Sequence, residues 1–233
     1  MVVILTLLIL SFGCGESDDG WEPLFNGKDL EGWHVFAGDE TQDGWSVTEG
    51  VLIFDFQDKV DTKSSNLVTD KTFSNFELSL EWKISDQGNS GLFWGVVEDG
   101  SYDHPYQTGP EIQILDDNWE EYIQERGDIN RAGSLYGLLP PSKIMSKGAG
   151  EWNHFLLHID YKNNDGFLEF NGQEVIKFPL HGDKWDSLVA NSSFAGWPGF
   201  GKSPTGHISL QDHGGWVEFR NIKIRELKDP QRE

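Results

Sequence analysis

The segment GPEIQILD, residues 109–116, sets three polar side chains, Glu111, Gln113 and Asp116, into an otherwise apolar run. Successive side chains of a strand alternate between faces, so Glu111 and Gln113 share one, and a β-bulge at Ile114-Leu115 would bring Asp116 onto it as well. Carboxyl groups on one face can give and take protons while the amide fixes a ligand oxygen. A second group lies in GHISLQDHG, residues 206–214, where Ile208 and Leu210 are expected to face the core and Gln211 and His213 the opposite side at the strand end. An imidazole with an ordinary pKa of about 6.5 suits general-base work or metal ligation. Asn89 could offer its amide to a hydroxyl, Tyr136 could stack or donate, and Trp94, Trp119 and Trp197 could form aromatic platforms. Asp116-Asp117 and Asp183/Asp186 could hold a hard cation through oxygen. Each residue type also has an ordinary structural use: a polar strand at a sheet rim, a hydrogen-bonded surface histidine, a core tyrosine or tryptophan.

The spacing Glu-x-Gln-x-x-Asp over residues 111–116 is similar to the Glu-x-Asp-x-x-Glu of laminarinase-like sandwich glucanases. Their two outer carboxylates act as nucleophile and acid/base about 5–5.5 Å apart. Here Gln113 replaces the middle Asp and Asp116 the last Glu, which argues against transferring that mechanism.

Short strands must position these residues. Phe76, Leu78, Leu80, Trp82 and Ile84 alternate with Glu77, Ser79, Glu81 and Lys83, the period of a strand with one buried face. Residues 153–161 repeat the pattern, apart from Leu156 on the outer face. Asn171-Gly172 joins two apolar runs as a type I′ hairpin, and Glu49-Gly50 joins two more. Residues 90–97 are apolar on both faces, as befits an interior strand beneath a cleft. Val217 and Phe219 differ in parity from Ile222 and Ile224, so a bulge around Arg220-Asn221 would keep all four in the core. One short helix is expected at residues 185–191, and long loops at 117–131 and 192–205, where sites usually sit. No repeat, linker or composition shift divides residues 21–227. The expected fold is all-β, a two-sheet antiparallel jelly-roll sandwich.

The chain has 233 residues and a net charge of −21, with 37% apolar and 13% aromatic residues, enough for a real core. So acidic a surface repels phosphate backbones, which excludes nucleic-acid binding through a basic face. The single cysteine, Cys14, excludes an internal disulfide, and no Cys/His group has zinc spacing. Residues 2–10 are an apolar run about half the length needed to span a bilayer, as in a signal peptide. Gly13-Cys14 resembles a lipobox whose cysteine is lipidated, although no Lys or Arg precedes the run and Ser11 stands where Leu is usual. The expected organisation is a signal over 1–14, an acidic tether over 15–21, one domain over 22–228 and a tail over 229–233. The product would be an exported, membrane-anchored lipoprotein facing the periplasm or outer membrane, touching the membrane only through its lipid.

Several pieces together carry a resemblance: LFNGKDLEGW at 24–33, Asn89-Ser90-Gly91, EIQILD at 111–116, Leu135-Tyr136, Glu151-Trp152-Asn153, Asn171-Gly172, LQDHG at 210–214 and FRNI at 219–222. In order and spacing, from about Pro23 to Leu227, they resemble the 3-keto-disaccharide hydrolase domain family. The resemblance implies a concanavalin-A-like (lectin/glucanase) jelly roll, common on exported bacterial lipoproteins, acting on glycosides oxidised to a ketone at carbon 3. It also implies an upstream glucoside 3-oxidoreductase to make that ketone.

A ketone at carbon 3 acidifies the hydrogen on carbon 2. A base can remove it, the enolate can expel the glycosidic oxygen from carbon 1, and water can add back. Such a site needs a base, donors or a metal at the enolate oxygen, and an acid for the leaving oxygen. Either Glu111 or His213 is expected as the base, with Asp116 assisting the leaving group or a cation, and Asn89, Gln113, Tyr136, Gln211 and Arg220 binding sugar or enolate oxygens. The sequence identifies no cofactor, though a divalent cation could act as Lewis acid. The competing readings are a non-catalytic cell-surface carbohydrate-binding module and a glucanase-like retaining hydrolase.

Overall fold

A computed structural model of the chain describes residues 20–38, 43–59 and 64–227. The expected signal, lipobox Cys14, most of the acidic tether and the C-terminal tail lie outside these residues. The described part is a sandwich of two antiparallel sheets.

The larger sheet holds β1 (Glu22–Pro23), β3 (Trp45–Thr48), β4 (Val51–Asp55), β6 (Phe76–Ile84), β9 (Asn153–Asp160), β10 (Asp165–Phe170), β11 (Gln173–Phe178) and β13 (Trp216–Glu226). Its order is β11-β10-β9-β6-β13-β4-β3, with β1 also paired to β13. The smaller sheet holds β2 (Trp33–Val35), β5 (Leu67–Thr69), β7 (Asn89–Val96), β8 (Glu111–Leu115) and β12 (His207–Leu210), in the order β2-β5-β12-β7-β8.

Side-chain alternation explains the packing. In β6 and β9, Phe76, Leu78, Leu80, Trp82, Phe155, Leu157 and Ile159 are all buried, while Glu77, Glu81, His154, Leu156 and His158 sit partly exposed on the outer face. Core residues of the smaller sheet, Leu92, Trp94, Ile112, Ile114, Ile208 and Leu210, meet them from the other side, and the Trp94 ring lies 5.6 Å from that of Phe178. Both hairpins form as expected. Asn171 and Gly172 have φ of 49° and 78°, Glu49 and Gly50 φ of 50° and 82°, the left-handed values a type I′ turn requires. The expected bulge in β13 is also present. Its register with β6 shifts between Arg220 and Lys223, Asn221 takes φ of 53°, and Val217, Phe219, Ile222 and Ile224 all reach the core.

Two expectations change. β8 pairs with β7 without a register break from Phe93↔Glu111 to Asn89↔Leu115, so there is no bulge at Ile114-Leu115 to turn Asp116 toward Glu111. The stretch 117–131 is not simply a loop. It contains α1 (Glu120–Arg126) and a 3-10 turn at Asp128–Asn130. The second helix, α2 (Asp183–Ala190), lies where expected, and residues 192–205 are irregular.

Candidate functional site

A cavity of about 360 Å³ opens on the face of the smaller sheet that points away from the larger one. Its floor is the non-core face of β7 and β8, presenting Asn89, Phe93, Glu111 and Gln113. Gln211 and His213 enter just beyond the end of β12, while Tyr122 and Arg126 of α1, Tyr136, and the aromatic residues Phe194, Trp197 and Phe200 of the 192–205 loop build the walls. The size and the mixture of aromatic walls with a few polar groups are those of a small-molecule site.

Glu111 is the chemical centre of the floor. It is 8% exposed, and burial pushes its carboxyl up to about 8, because a low-dielectric setting penalises the charged form. No cation is paired with it in an ion pair among the described residues. The Gln113 amide, with its nitrogen turned to the acceptors it faces, donates to the Ser90 carbonyl at 3.0 Å and to Glu111 Oε1 at 3.1 Å. Room for the carboxyl exists because residue 91 is glycine. A Cβ there would stand 2.0 Å from Glu111 Oε1. On the far edge of β8, Tyr136 N–H donates to the Glu111 carbonyl at 2.9 Å, and Gly133 and Ser134 bracket Gln113 through backbone bonds. The strand carrying the carboxyl is therefore held along both edges.

His213 stands at the cavity rim, and burial, opposed by the nearby Asp212, lowers its pKa below the ordinary imidazole value. The chain around it is pinned from below. Ser90 Oγ donates to the Gln211 carbonyl at 2.9 Å. Asp212 turns away from the cavity and accepts from Lys59 Nζ at 2.9 Å, Ser64 Oγ at 3.0 Å and Ser65 N–H at 2.5 Å. The Lys59 and Asp212 side chains are each 5% exposed. Gln211 Oε1 is buried with no partner in the protein, an acceptor left for a ligand hydroxyl.

The structure thus brings together Asn89, Glu111, Gln113, Tyr136, Gln211 and His213. Asp116 and Arg220 stand elsewhere. Asp116 is 1% exposed and accepts from Gln87 N–H and Asn118 N–H, both at 3.1 Å, so it braces two turns. Arg220 lies on the outer face of the larger sheet, bonded to Glu81 at 2.5 Å, its guanidinium 3.9 Å from the Trp152 ring centre. With Asp116 outside the cavity lining, the carboxylate pair of a glucanase is not assembled. Of the three tryptophans considered, Trp197 lines the cavity, Trp94 is core, and Trp119 packs on Tyr122 with ring centres 4.9 Å apart.

Among the described residues, no group of three or more His, Cys, Asp or Glu side chains is arranged to hold a metal ion. The acidic pairs have other partners. Asp117 accepts from Ala132 N–H at 3.1 Å, and Asp186 pairs with Lys202 at 2.8 Å.

Tyr106, Tyr122, Arg126 and the phenylalanines of the 192–205 loop were not expected in the site. The available signal was the density of aromatic residues in that loop and the Tyr/Arg spacing, i and i+4, within residues 120–126.

Residues 20–225 match the family described as the 3-keto-alpha-glucoside-1,2-lyase-like domain. The chain belongs to this family. It is 31% identical over 231 residues to a 3-keto-disaccharide hydrolase of Bacteroides thetaiotaomicron, covering 90% of this chain and 79% of that one. A crystal structure of a candidate glycosyl hydrolase from Parabacteroides distasonis ATCC 8503 superposes with a TM-score of 0.80 at 34% identity, covering 90% of this chain and 95% of that chain. A Bacillus subtilis protein with a galectin-like fold matches at a TM-score of 0.53 and 12% identity, covering 88% and 94%, and shares the fold alone. The architecture is an all-β jelly-roll sandwich of two antiparallel sheets, and membership places the chain among enzymes acting on glycosidic bonds.

Proposed function

We propose that the protein cleaves glycosides already oxidised to a ketone at carbon 3, by elimination and rehydration, with His213 as base and Glu111 as acid. The observation that carries this reading is the buried Glu111 carboxyl, held near 8 in a cavity it shares with a histidine whose pKa is lowered. At neutral pH the carboxyl keeps its proton and the imidazole lacks one, so each group stands ready for the transfer assigned to it.

The steps balance. Neutral His213 takes the proton from carbon 2, and the C–H electron pair flows toward the carbon 3 oxygen as an enolate. The enolate reforms the ketone, makes a double bond between carbons 1 and 2, and breaks the bond from carbon 1 to the glycosidic oxygen, which takes its proton from Glu111. Water then adds to carbon 1, the Glu111 carboxylate accepts a proton from it, and protonated His213 returns a proton to carbon 2. Both side chains end as they began, and the net reaction is hydrolysis. Asn89, Gln113 and Gln211 bind sugar oxygens.

The N-terminal pattern extends the proposal to an exported protein lipidated at Cys14, and the ketone in the proposed substrate implies an upstream glucoside 3-oxidoreductase. Radiolabelled palmitate should mark the wild-type chain in cells and leave Cys14→Ala unmarked; equal labelling of both would remove the anchor.

The test of the reaction uses residues 15–233, a 3-keto-disaccharide and its unoxidised parent, in D2O, with and without chelator. Elimination predicts cleavage of the keto sugar alone, with deuterium at carbon 2 of the product. Cleavage of the unoxidised parent as fast as of the keto sugar would refute the enolate route, and loss of activity with chelator would bring a metal into it.

A further inference from the structure

We infer that Tyr122 is a catalytic residue whose hydroxyl, beside that of Tyr136, donates to the carbon 3 oxygen as it becomes an enolate, with the Arg126 charge next to it. The inference rests on the proposed elimination and concerns the part of that reaction which Glu111 and His213 leave open.

Three observations point to it. First, Tyr122, Tyr136 and Arg126 line the same cavity as Glu111 and His213. The Tyr122 ring is fixed there, packed on Trp119 at 4.9 Å with the Arg126 guanidinium 5.7 Å from its centre. Tyr136 is tied to the strand carrying Glu111 by its own N–H. A donor for an oxyanion must be placed beforehand, and both tyrosines are.

Second, proton counting leaves one donor free. Burial first, and then the Tyr136 hydroxyl beside it, push the Tyr122 hydroxyl well above the ordinary phenol value, so it keeps its proton. Two neighbouring hydroxyls hold two O–H donors, and sharing one between them leaves the other for a ligand oxygen.

Third, the charge around the cavity has the required sign. Glu111 is protonated below about 8, and His213 is neutral at pH 7 because its pKa is lowered. Of the ionisable lining residues, Arg126 then carries the formal charge, in a chain whose net charge is −21. Its neighbour Glu125 pairs with it at 3.8 Å but is 77% exposed, so it offsets the charge only in part. A cavity with positive charge favours the step in which the electron pair of the broken C–H bond arrives on the carbonyl oxygen.

Enolisation can be isolated with a 1,5-anhydro-3-keto sugar, which has no exocyclic group to expel at carbon 1. NMR in D2O then reads hydrogen exchange at carbon 2. The wild-type enzyme should catalyse exchange, and Tyr122→Phe, which keeps the ring on Trp119, should slow kcat for exchange about 10²–10³-fold while KM stays within about threefold. A merely structural tyrosine would not separate kcat from KM in this way. Arg126→Gln, at an exposed side chain, should slow exchange about tenfold with an unchanged thermal midpoint. This variant keeps the inference testable if the phenylalanine variant does not fold. Wild-type exchange that either folded variant retains within twofold overturns the inference and leaves the proposed function standing. Absence of exchange with a wild-type enzyme that also leaves the 3-keto-disaccharide intact overturns both.

Discussion

Replacing Glu111 by glutamine removes the ionisation but keeps the shape of the side chain, and its effect on stability can be worked out from burial. In the folded protein the carboxyl titrates at about 8, against an ordinary value of 4.5. Below pH 4.5 it is protonated in folded and unfolded chains alike and imposes no penalty. As pH rises from there the unfolded chain releases the proton and the folded chain holds it, so stability falls until the pH passes about 8. At about 1.4 kcal/mol per pH unit this amounts to at most ~5 kcal/mol, and roughly half that once local relaxation and water entry are allowed for. Glu111→Gln should therefore be close to wild type in stability at pH 5 and about 2–5 kcal/mol more stable at pH 9. Urea denaturation of both proteins at the two pH values measures the difference directly, and at about 2–4 °C per kcal/mol the thermal midpoints should also separate. Parallel stability curves from pH 5 to 9 would refute the argument that burial holds this carboxyl protonated. The same variant should be nearly inactive, so a gain in stability with a loss of turnover is the joint signature.

Three further outcomes follow from the same geometry. The pH profile of kcat/KM should be a bell, falling on the acid side below the ordinary imidazole value of 6.5 as His213 gains a proton, and on the alkaline side near 8 as Glu111 loses one. A flat profile across that alkaline limb would remove Glu111 as the acid. Lys59→Met leaves the buried Asp212 carboxylate without its cation and should cost about 3–5 kcal/mol in denaturant titrations, with Lys59→Arg recovering part of it. A neutral Lys59→Met would show that Gln211 and His213 are not held through this pair. Gly91→Ala should fold, because Gly91 has no positive φ and the obstructing atom is the tip of a flexible side chain. Its Cβ would displace Glu111 Oε1, which lies 2.0 Å from that position, and turnover should fall about 100-fold; wild-type kcat in this variant would count against the placement of the carboxyl.

The sandwich was legible because its signals are local. Alternation in residues 76–84 and 153–160, the left-handed pairs Glu49-Gly50 and Asn171-Gly172, and the parity change before Ile222 each act within a few residues. The floor of the site was legible for the same reason, since period two alone groups Glu111 with Gln113. Asp116 was not, because its position depends on whether β8 keeps its register with β7, a choice made by the partner strand and by the turn amides of Gln87 and Asn118 that Asp116 caps. Tyr122 and Arg126 escaped because α1 is seven residues long and buries only Ile123, too little apolar surface to give a helical period. Arg220 was drawn into the site by its neighbours in sequence, although alternation with the buried Phe219 sets it on the outer face against Glu81.

The strand order β2-β5-β12-β7-β8 also sets when activity can first appear. β12 is among the last strands made, yet it inserts between two early ones, and the Lys59–Asp212 pair closes a loop of 153 residues. Contacts so distant along the chain form late and slowly. A ribosome-bound or half-threaded chain ending before residue 207 carries Glu111 and Tyr122 but lacks the strand that seats His213. The proposed proton-transfer pair is therefore completed only once the chain through His213 has been made and β12 has inserted between β5 and β7.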